Sequence, residues 1–358
     1  MEPNPLVSNR NRAPVFVVGS PRSGTTLLYD MLLSSGGFAL YLGESNIFNL
    51  LAPRFGDLSL RKNRENMLRV WLGSSLFRVS GLQAGDVESP ILDGCRNTGD
   101  FLRIVMDEVA QQQGAQRWAG NTPEEILYLR EIKRTIPEAL IVHIIRDGRD
   151  VSVSLSQKRY IRPLPWRERI SPEAAALYWE WMVKKGRDAG KEMRGDYIEV
   201  RFEELVSDPH SVLARLSTFL DHDLNYDRIM ENRVGAVAKP NSSFRGSEKG
   251  NFNPVARWKH LLTGDELARI EGWVGNILLE LGYELATTGR YDCNPVYRAW
   301  NRLLYRQFFE LKLESKNNRL IRTFRKPLTS KDIDEVVLVD EGAASRVHGT
   351  MARTAEEG

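Results

Sequence analysis

The sequence predicts an α/β fold, a mostly parallel sheet flanked by helices, with a helical appendage at the C-terminus. Three observations carry this. Residues 15–19 (VFVVG) and 139–145 (ALIVHII) are short, continuous apolar runs, as in strands buried on both faces. Such runs alternate with helical segments along the chain, which is the pattern of a parallel sheet covered by helices. The first run also passes through a glycine-containing turn directly into a helix start, GSPRSGTT at 19–26. With 358 residues, 42% hydrophobic and 27% charged, the chain can bury the core of one large domain or two smaller ones.

The elements follow in order. Residues 1–13 are polar, carry two prolines and read as a flexible N-terminus. The strand VFVVG leads to a helix over 24–34. FALYLGESN reads as a second strand ending near Gly43–Glu44. Residues 46–98 alternate helical pieces with Gly/Ser/Pro loops. The segment 98–114 is a helix with Thr98 as N-cap and Gly114 as its stop. Thr122, Pro123 and Glu125 form the pattern of a capping box with proline at N1. The buried run 139–145 gives way to a helix through RDGRDVSVSLSQK. Ser171-Pro172-Glu173 opens a long helix, DYIEVRFEEL (196–205) is a strand, and Asp208-Pro209 opens the next helix. A Gly/Asn/Ser/Lys-rich loop fills 235–256, and a helix over 264–283 closes the core. The boundaries are therefore 1–13, a domain over 14–286, a basic amphipathic extension over 287–330, and a disordered tail over 331–358.

The formal charge of +3 and pI near 8.8 suit an anionic small ligand and are too weak to argue for nucleic acid. Cys95 and Cys293 alone make neither a disulfide framework nor a zinc site, so a reducing compartment is the default. The N-terminal residues show no apolar h-region, and no run approaches the roughly 18 apolar residues of a membrane span. The expectation is a cytoplasmic protein.

Residues 19–26 have the layout of a phosphate-binding loop. Gly19 and Gly24 let the backbone bend around an anion. The N–H groups from Ser23 to Thr26 begin a helix without intrahelical partners, with the helix dipole behind them. Arg22 adds charge, and Thr25 and Thr26 add hydroxyls. A P-loop that binds a triphosphate carries a lysine where this chain has Thr25. Without it the loop suits one phosphate. A glycine turn that merely joins strand to helix is the plainer reading.

HIIRDGRDVSVS supplies a second anion site. Arg146 ends the buried strand, where ligands bind in open α/β sheets. Ser154 lies eight residues on, about two helical turns, with Lys158 one turn further along the same face. Taken alone, this stretch reads as a solvated helix start with Arg146 paired to Asp150. Two anion sites at adjacent strand ends are harder to dismiss.

Together, GSPRSGTTLL and IIRDGRDVSVS resemble the sulfotransferases that use 3′-phosphoadenosine 5′-phosphosulfate (PAPS). The resemblance runs on through YIEVRFEELVSDP and RWKHLLTGDE to LLELGYEL, covering about residues 14–286. Its flavour is that of the bacterial carbohydrate-type and tyrosylprotein-type branches. It implies a P-loop-NTPase-like fold and no required metal. It also implies that Arg22, Ser23, Gly24, Thr25 and Thr26 hold the 5′-phosphosulfate, and that Arg146 and Ser154 hold the 3′-phosphate. The segment 239–252 resembles the one that folds over the 3′-phosphate and adenosine, making Lys239, Arg245 and Lys249 candidates, with Gly246 and Gly250 for close approach.

The implied reaction is an in-line displacement at sulfur. The protein positions the groups and stabilises charge, with Arg22 and the loop N–H groups at the leaving oxygen. A base must take the acceptor proton. Glu44 is the candidate, since it follows the expected second strand and the tyrosylprotein branch has its base in a similar Gly-Glu context. Its plainer reading is an exposed loop carboxylate, and Asp30 and Asp57 have weaker positional claims. Two departures stand out. Asn121 occupies the position where related enzymes carry a lysine at the transferring sulfonate, and Phe202 stands where a tyrosine is common.

The resemblance implies as acceptor a hydroxyl on a small molecule, glycan, lipid-linked glycan or other natural product, drawn from walls at 46–98 and 160–180. Two other readings compete, a small-molecule kinase of the same broad fold and a nucleotide-binding scaffold impaired in transfer. His143 mid-strand and Trp179 and Trp181 on one helix read as packing rather than chemistry. In 296–326, Tyr297, Trp300, Leu304, Phe308 and Leu311 recur at helical spacing among nine basic and two acidic residues. The favoured reading is a helix packed on the domain or on a homodimer partner. The other is a peripheral contact with an anionic membrane, at its inner, cytoplasmic face.

Overall fold

The structure is a computed structural model, and it describes residues 10–157, 161, 164, 171–193, 195–237, 254–287 and 294–338. Four parallel strands form its sheet: β1 (Val15–Val18), β2 (Ala119–Gly120), β3 (Leu140–Ile145) and β4 (Tyr197–Arg201). Their spatial order is β2-β1-β3-β4, with Val15 opposite Ala119 on one side and Leu140 on the other. The first helix, α1 (Thr25–Ser34), follows the loop after β1. Between it and β2 come α2 (Ala52–Phe55), α3 (Arg61–Leu72), α4 (Ser75–Ser80), α5 (Ala84–Gly94) and α6 (Thr98–Gln112). Then follow α7 (Leu129–Thr135), α8 (Gly148–Gln157), α9 (Pro172–Gly190), α10 (Phe202–Ser207), α11 (Pro209–Leu220) and α12 (Tyr226–Asn232). The chain closes with α13 (Trp258–Leu261), α14 (Gly264–Glu280), α15 (Pro295–Asn317), α16 (Arg319–Thr323) and α17 (Ser330–Leu338).

The continuous apolar runs are explained by burial on both faces. Val15, Val17, Val142 and Ile144 pack on one side against Leu28 and Leu32 of α1 and Leu213 and Leu216 of α11. Phe16, Val18, Ile141 and Ile145 pack on the other against Val105 of α6, Met182 of α9 and Val274 of α14. Successive strand residues alternate between the two layers, so nearly every position is apolar, with His143 the buried exception. From β1 the chain next joins the sheet at β2, and from β3 at β4 on the opposite side. The carboxyl ends of β1 and β3 therefore flank the switch point, where open α/β sheets bind ligands.

Several expectations are corrected. The segment 38–46 is not a strand. It makes a single bridge, Phe38 to Arg117, and Leu40 then bonds through its N–H and C=O to the Gln113 side chain. That side chain satisfies backbone groups a ladder would otherwise use. The N-cap of α6 is Asn97, which forms a reciprocal box with Asp100, so Thr98 is its first helical residue. No capping box forms at Thr122, because the Glu125 side chain is turned into the interior and the turn is a 3₁₀ helix, Pro123–Tyr128. The strand expected over 196–205 ends at Arg201. Helix α17 continues to Leu338, into the stretch expected to be a disordered tail, and Asp334 receives the Ser75 N–H and the Arg78 guanidinium of α4.

Helix α15 docks on α9 by a different stripe from the one the sequence suggests. Asn301, Tyr305 and Phe309 are its buried residues, while Tyr297, Trp300 and Leu311 stay exposed. Polar pairs fix the contact: Arg302 to Glu180, Lys185 to Glu310 at 2.8 Å, and the Trp181 indole N–H to Glu310 at 2.9 Å. Trp179 reads as packing, as expected. Trp179 is fully buried on Gly148, where a Cβ would lie 2.5 Å from its ring. His143 is likewise internal. Its Nδ1 meets the Tyr197 hydroxyl at 2.6 Å, and burial pulls its pKa down to about 3, leaving a neutral imidazole.

Candidate functional site

The loop after β1 is shaped by two close approaches. A Cβ on Gly19 would lie 2.5 Å from the Ile144 carbonyl oxygen of β3, so only glycine fits where β1 ends. Gly24 has φ +98°, and a Cβ there would lie 2.3 Å from the Phe202 ring. The Ser23 N–H turns inward to the Ser20 carbonyl at 3.1 Å, so it is not one of the free donors the sequence suggested. The Thr25 and Thr26 N–H groups open α1 and have no intrahelical acceptors by helix geometry. Ser23 Oγ is buried without a hydrogen-bond partner. Arg22 itself takes a left-handed backbone at φ 73°, which costs an arginine about 1–2 kcal/mol. That turn sends its side chain across to α8, where Nε donates to Ser154 Oγ at 3.1 Å.

Arg146 stands at the end of β3 and joins the same wall. Its Nη1 donates to the Arg22 carbonyl at 3.2 Å and its Nη2 to the Pro254 carbonyl at 2.6 Å. Its guanidinium lies 4.6 Å from the Phe202 ring centroid and 3.5 Å from Asp150, and its Nε is buried without a partner. Burial pulls the Arg146 pKa below its ordinary value, while Asp150 and Glu203 push it back up, and the group remains a cation. Phe202 is thus a platform. Its ring supports Arg146 and presses on Gly24, which accounts for an apolar residue there. The two anion sites read separately in the sequence are one surface, joined by Arg22–Ser154 and Arg146–Arg22.

Sequence reasoning missed what holds this surface. The Asp150 carboxylate receives the N–H groups of Ala256 at 3.0 Å and Trp258 at 2.8 Å, anchoring the chain just past the 239–252 segment. Trp258 is buried, donates its indole N–H to Asp147, and lies 4.0 Å from the Arg149 guanidinium. Arg149 reaches Glu271, and Glu203 receives the Asp147 N–H and the Tyr283 hydroxyl. The signal was the density of charge in RDGRD beside a buried strand, which is too much charge for a merely solvated turn. Lys158, Lys239, Arg245, Lys249, Gly246 and Gly250 lie outside the described residues.

The next strand end brings Asn121 and the Glu44 segment together. Asn121 follows β2 directly and is buried, with Oδ1 unpartnered. Beside it, Thr122 Oγ1 lies 3.5 Å from both Ser45 Oγ and the Asn46 N–H, so the 44–46 segment rests on this strand end. Glu44 is half-buried there, and its carbonyl accepts from Asn46. The other acids are committed elsewhere: Asp30 to the Ala236 N–H at 2.6 Å, and Asp57 to the Ser59 N–H at 2.9 Å.

Glu125 is the surprise. It is fully buried under Ser45, whose hydroxyl meets Oε1 at 3.0 Å, and its Oε2 has no partner. Burial pushes its carboxyl up from 4.5 to about 8, so it is mostly protonated at neutral pH. A folded-state value above the unfolded one gives stability that is complete below about 4.5 and lost as pH rises through about 8. Glu125→Gln is therefore expected to unfold with a flatter pH profile. It should gain about 4 kcal/mol on the parent between pH 4 and pH 9 in urea titrations. Equal slopes in the two proteins would show that the carboxyl is ionised in the fold.

Arg22, Ser154 and Arg146 thus form one continuous polar wall at the carboxyl ends of β1 and β3. The family model described as "Sulfotransferase family" matches residues 14–227. Protein-tyrosine sulfotransferase A of Caenorhabditis elegans is 25% identical over 288 residues, spanning 77% of this chain and 68% of that protein. Among solved structures, the sulfotransferase domain from the curacin biosynthetic pathway aligns over 76% of this chain and 98% of its own, with TM-score 0.48 and 16% identity. The sulfotransferase domain from the Synechococcus PCC 7002 olefin synthase aligns over 83% and 94%, with TM-score 0.42 and 18% identity.

Proposed function

Because the chain belongs to the sulfotransferase family, we propose that it moves a sulfonate from PAPS to an acceptor hydroxyl of a glycan, glycolipid or other natural product. The observation that supports the donor most is the continuous wall of Arg22, Ser154 and Arg146 at the switch point. The unpartnered Ser23 Oγ and Arg146 Nε fit a bound anion, since buried polar atoms are normally satisfied. When bound, the donor supplies an activated sulfonate and an adenosine 3′,5′-bisphosphate leaving group.

The residues divide the work. Thr25 and Thr26 at the start of α1 and the Arg22 guanidinium face the position where charge grows on the leaving oxygen. Arg146 and Ser154 hold the 3′-phosphate, with Lys158, Lys239, Arg245, Lys249 and Gly250 as further candidates around the nucleotide. Glu44 takes the proton from the acceptor hydroxyl. Asn121 offers an amide hydrogen bond to the transferring group and no charge. No step needs a metal, so release of adenosine 3′,5′-bisphosphate from PAPS is expected to proceed unchanged in excess EDTA. Abolition by EDTA and recovery with magnesium would instead favour phosphoryl-transfer chemistry.

We place the catalytic unit at 14–286 and read 287–330 as an extension docked on it. No helix among the described residues is long and apolar enough to cross a membrane. The outer face of α15 and α16 leaves Trp300 58%, Leu320 74% and Phe324 90% exposed, next to Arg319 and Lys326. We read this as a peripheral contact with an anionic lipid surface, at the inner, cytoplasmic side of a membrane. Full-length protein is expected to co-sediment with phosphatidylglycerol vesicles, and Trp300→Glu with Phe324→Glu to abolish this. A dimer in solution without vesicle binding would assign the face to a second copy.

A further inference from the structure

An open cleft of about 110 Å³ lies between α9, α15 and the 3₁₀ turn Pro123–Tyr128. Tyr128, Tyr178, Trp181, Phe308, Phe309 and Leu313 form most of its wall. The rings are locked together: Phe309 packs edge-on to Tyr178 at 5.3 Å and lies 5.5 Å from Trp181, whose indole N–H is held by Glu310. A chain of hydrogen bonds links the cleft to the 44–46 segment. Asn49, on its rim, donates to Asn46 Oδ1 at 2.9 Å, and Asn46 rests against Thr122 and the Glu44 carbonyl. Glu124, also on the rim, follows Asn121 by three residues.

We propose that α15 forms one wall of the acceptor site, and that this cleft selects an acceptor whose hydroxyl is carried by an apolar body. This rests on the sulfotransferase reading above and narrows it. Rigid aromatic walls favour a flat or chain-like apolar group. Asn49, Glu124, Lys312 and Lys316 also line the cleft and can meet the hydroxyl, while an apolar body gains more than a bare sugar from contact with the rings. The wall comes from residues far beyond the loop and strand ends that bind the donor. Acceptor choice is thus set by the appendage, while donor binding is set by the sheet.

The test measures equilibrium binding of 2-naphthol, 1-octanol and glucose to full-length protein, with and without adenosine 3′,5′-bisphosphate. At least one apolar alcohol is expected to bind about tenfold or more tightly than glucose, and the two apolar arms separate a ring from a chain. Phe308→Glu and Leu313→Glu, both at half-buried positions, are expected to weaken that binding about tenfold and to leave nucleotide binding unchanged. Glucose binding as well as both alcohols, or alcohol affinity untouched by both variants, overturns the proposal. Failure of the nucleotide itself to bind would instead strike the donor reading, while the alcohol arms without nucleotide still report on the cleft.

Discussion

Replacing Arg146 with alanine is expected to weaken binding of adenosine 3′,5′-bisphosphate by about 10³-fold. The guanidinium is buried and already desolvated in the folded protein, so a phosphate meets it without a further dehydration cost. Removing one partner of such a buried charge-assisted contact costs about 2–5 kcal/mol, which corresponds to roughly 30- to 5,000-fold. Arg146 also braces the Arg22 and Pro254 carbonyls, so loss of the side chain loosens the loop as well. Arg146→Lys separates the two effects. A lysine keeps the charge and loses the planar fork, and should fall between the parent and alanine. Ser154→Ala removes one hydroxyl and is expected to cost about tenfold. Calorimetric titration with the nucleotide checks the series, and an Arg146→Ala affinity within threefold of the parent would remove Arg146 from the donor site.

Glu44→Gln is expected to lower kcat by about 10²- to 10⁴-fold, the usual contribution of a positioned general base. The amide keeps the shape of the side chain and loses its charge and its ability to take a proton. Nucleotide affinity is expected to stay at the parental value, because the Arg22–Ser154 and Arg146–Arg22 contacts are untouched by the change. The Glu44 carbonyl, which accepts from Asn46, is unchanged in the variant. Near-normal turnover by Glu44→Gln would send the search to another group on the 44–46 segment or on the acceptor itself. Glu125 is a poor substitute, since its carboxyl is buried and largely protonated at neutral pH.

What the sequence revealed and what it hid follow the same physics. Buried parallel strands are apolar at nearly every position, so β1 and β3 were legible as runs, and the glycines at 19 and 24 as places where only a bare backbone fits. The Arg146–Ser154 spacing was legible because a helix fixes where eight residues lead. The segment 38–46 was misread because a strand-like composition does not say whether an edge or a glutamine side chain will satisfy the backbone. Glu125 matched a capping pattern and was instead drawn inward by Ser45, a contact 80 residues away in sequence that no local rule anticipates. The Asp150 anchor was hidden for the same reason, since its partners Ala256 and Trp258 lie more than 100 residues downstream. On α15 the period was right and the face was wrong. Both flanks are apolar, and only the position of Trp181 and Glu180 on α9 decides which one is buried.

The measurement that bears most directly on the donor assignment is thermal unfolding of the full-length protein with adenosine 3′,5′-bisphosphate, compared with ATP and magnesium. At about 100 times its Kd, a ligand of the native state adds about 2.7 kcal/mol, a rise of roughly 3–4 °C for a chain of this size. That rise is predicted with the bisphosphate, reduced in Arg146→Ala, and absent with ATP–magnesium. A rise with ATP–magnesium alone would contradict the account.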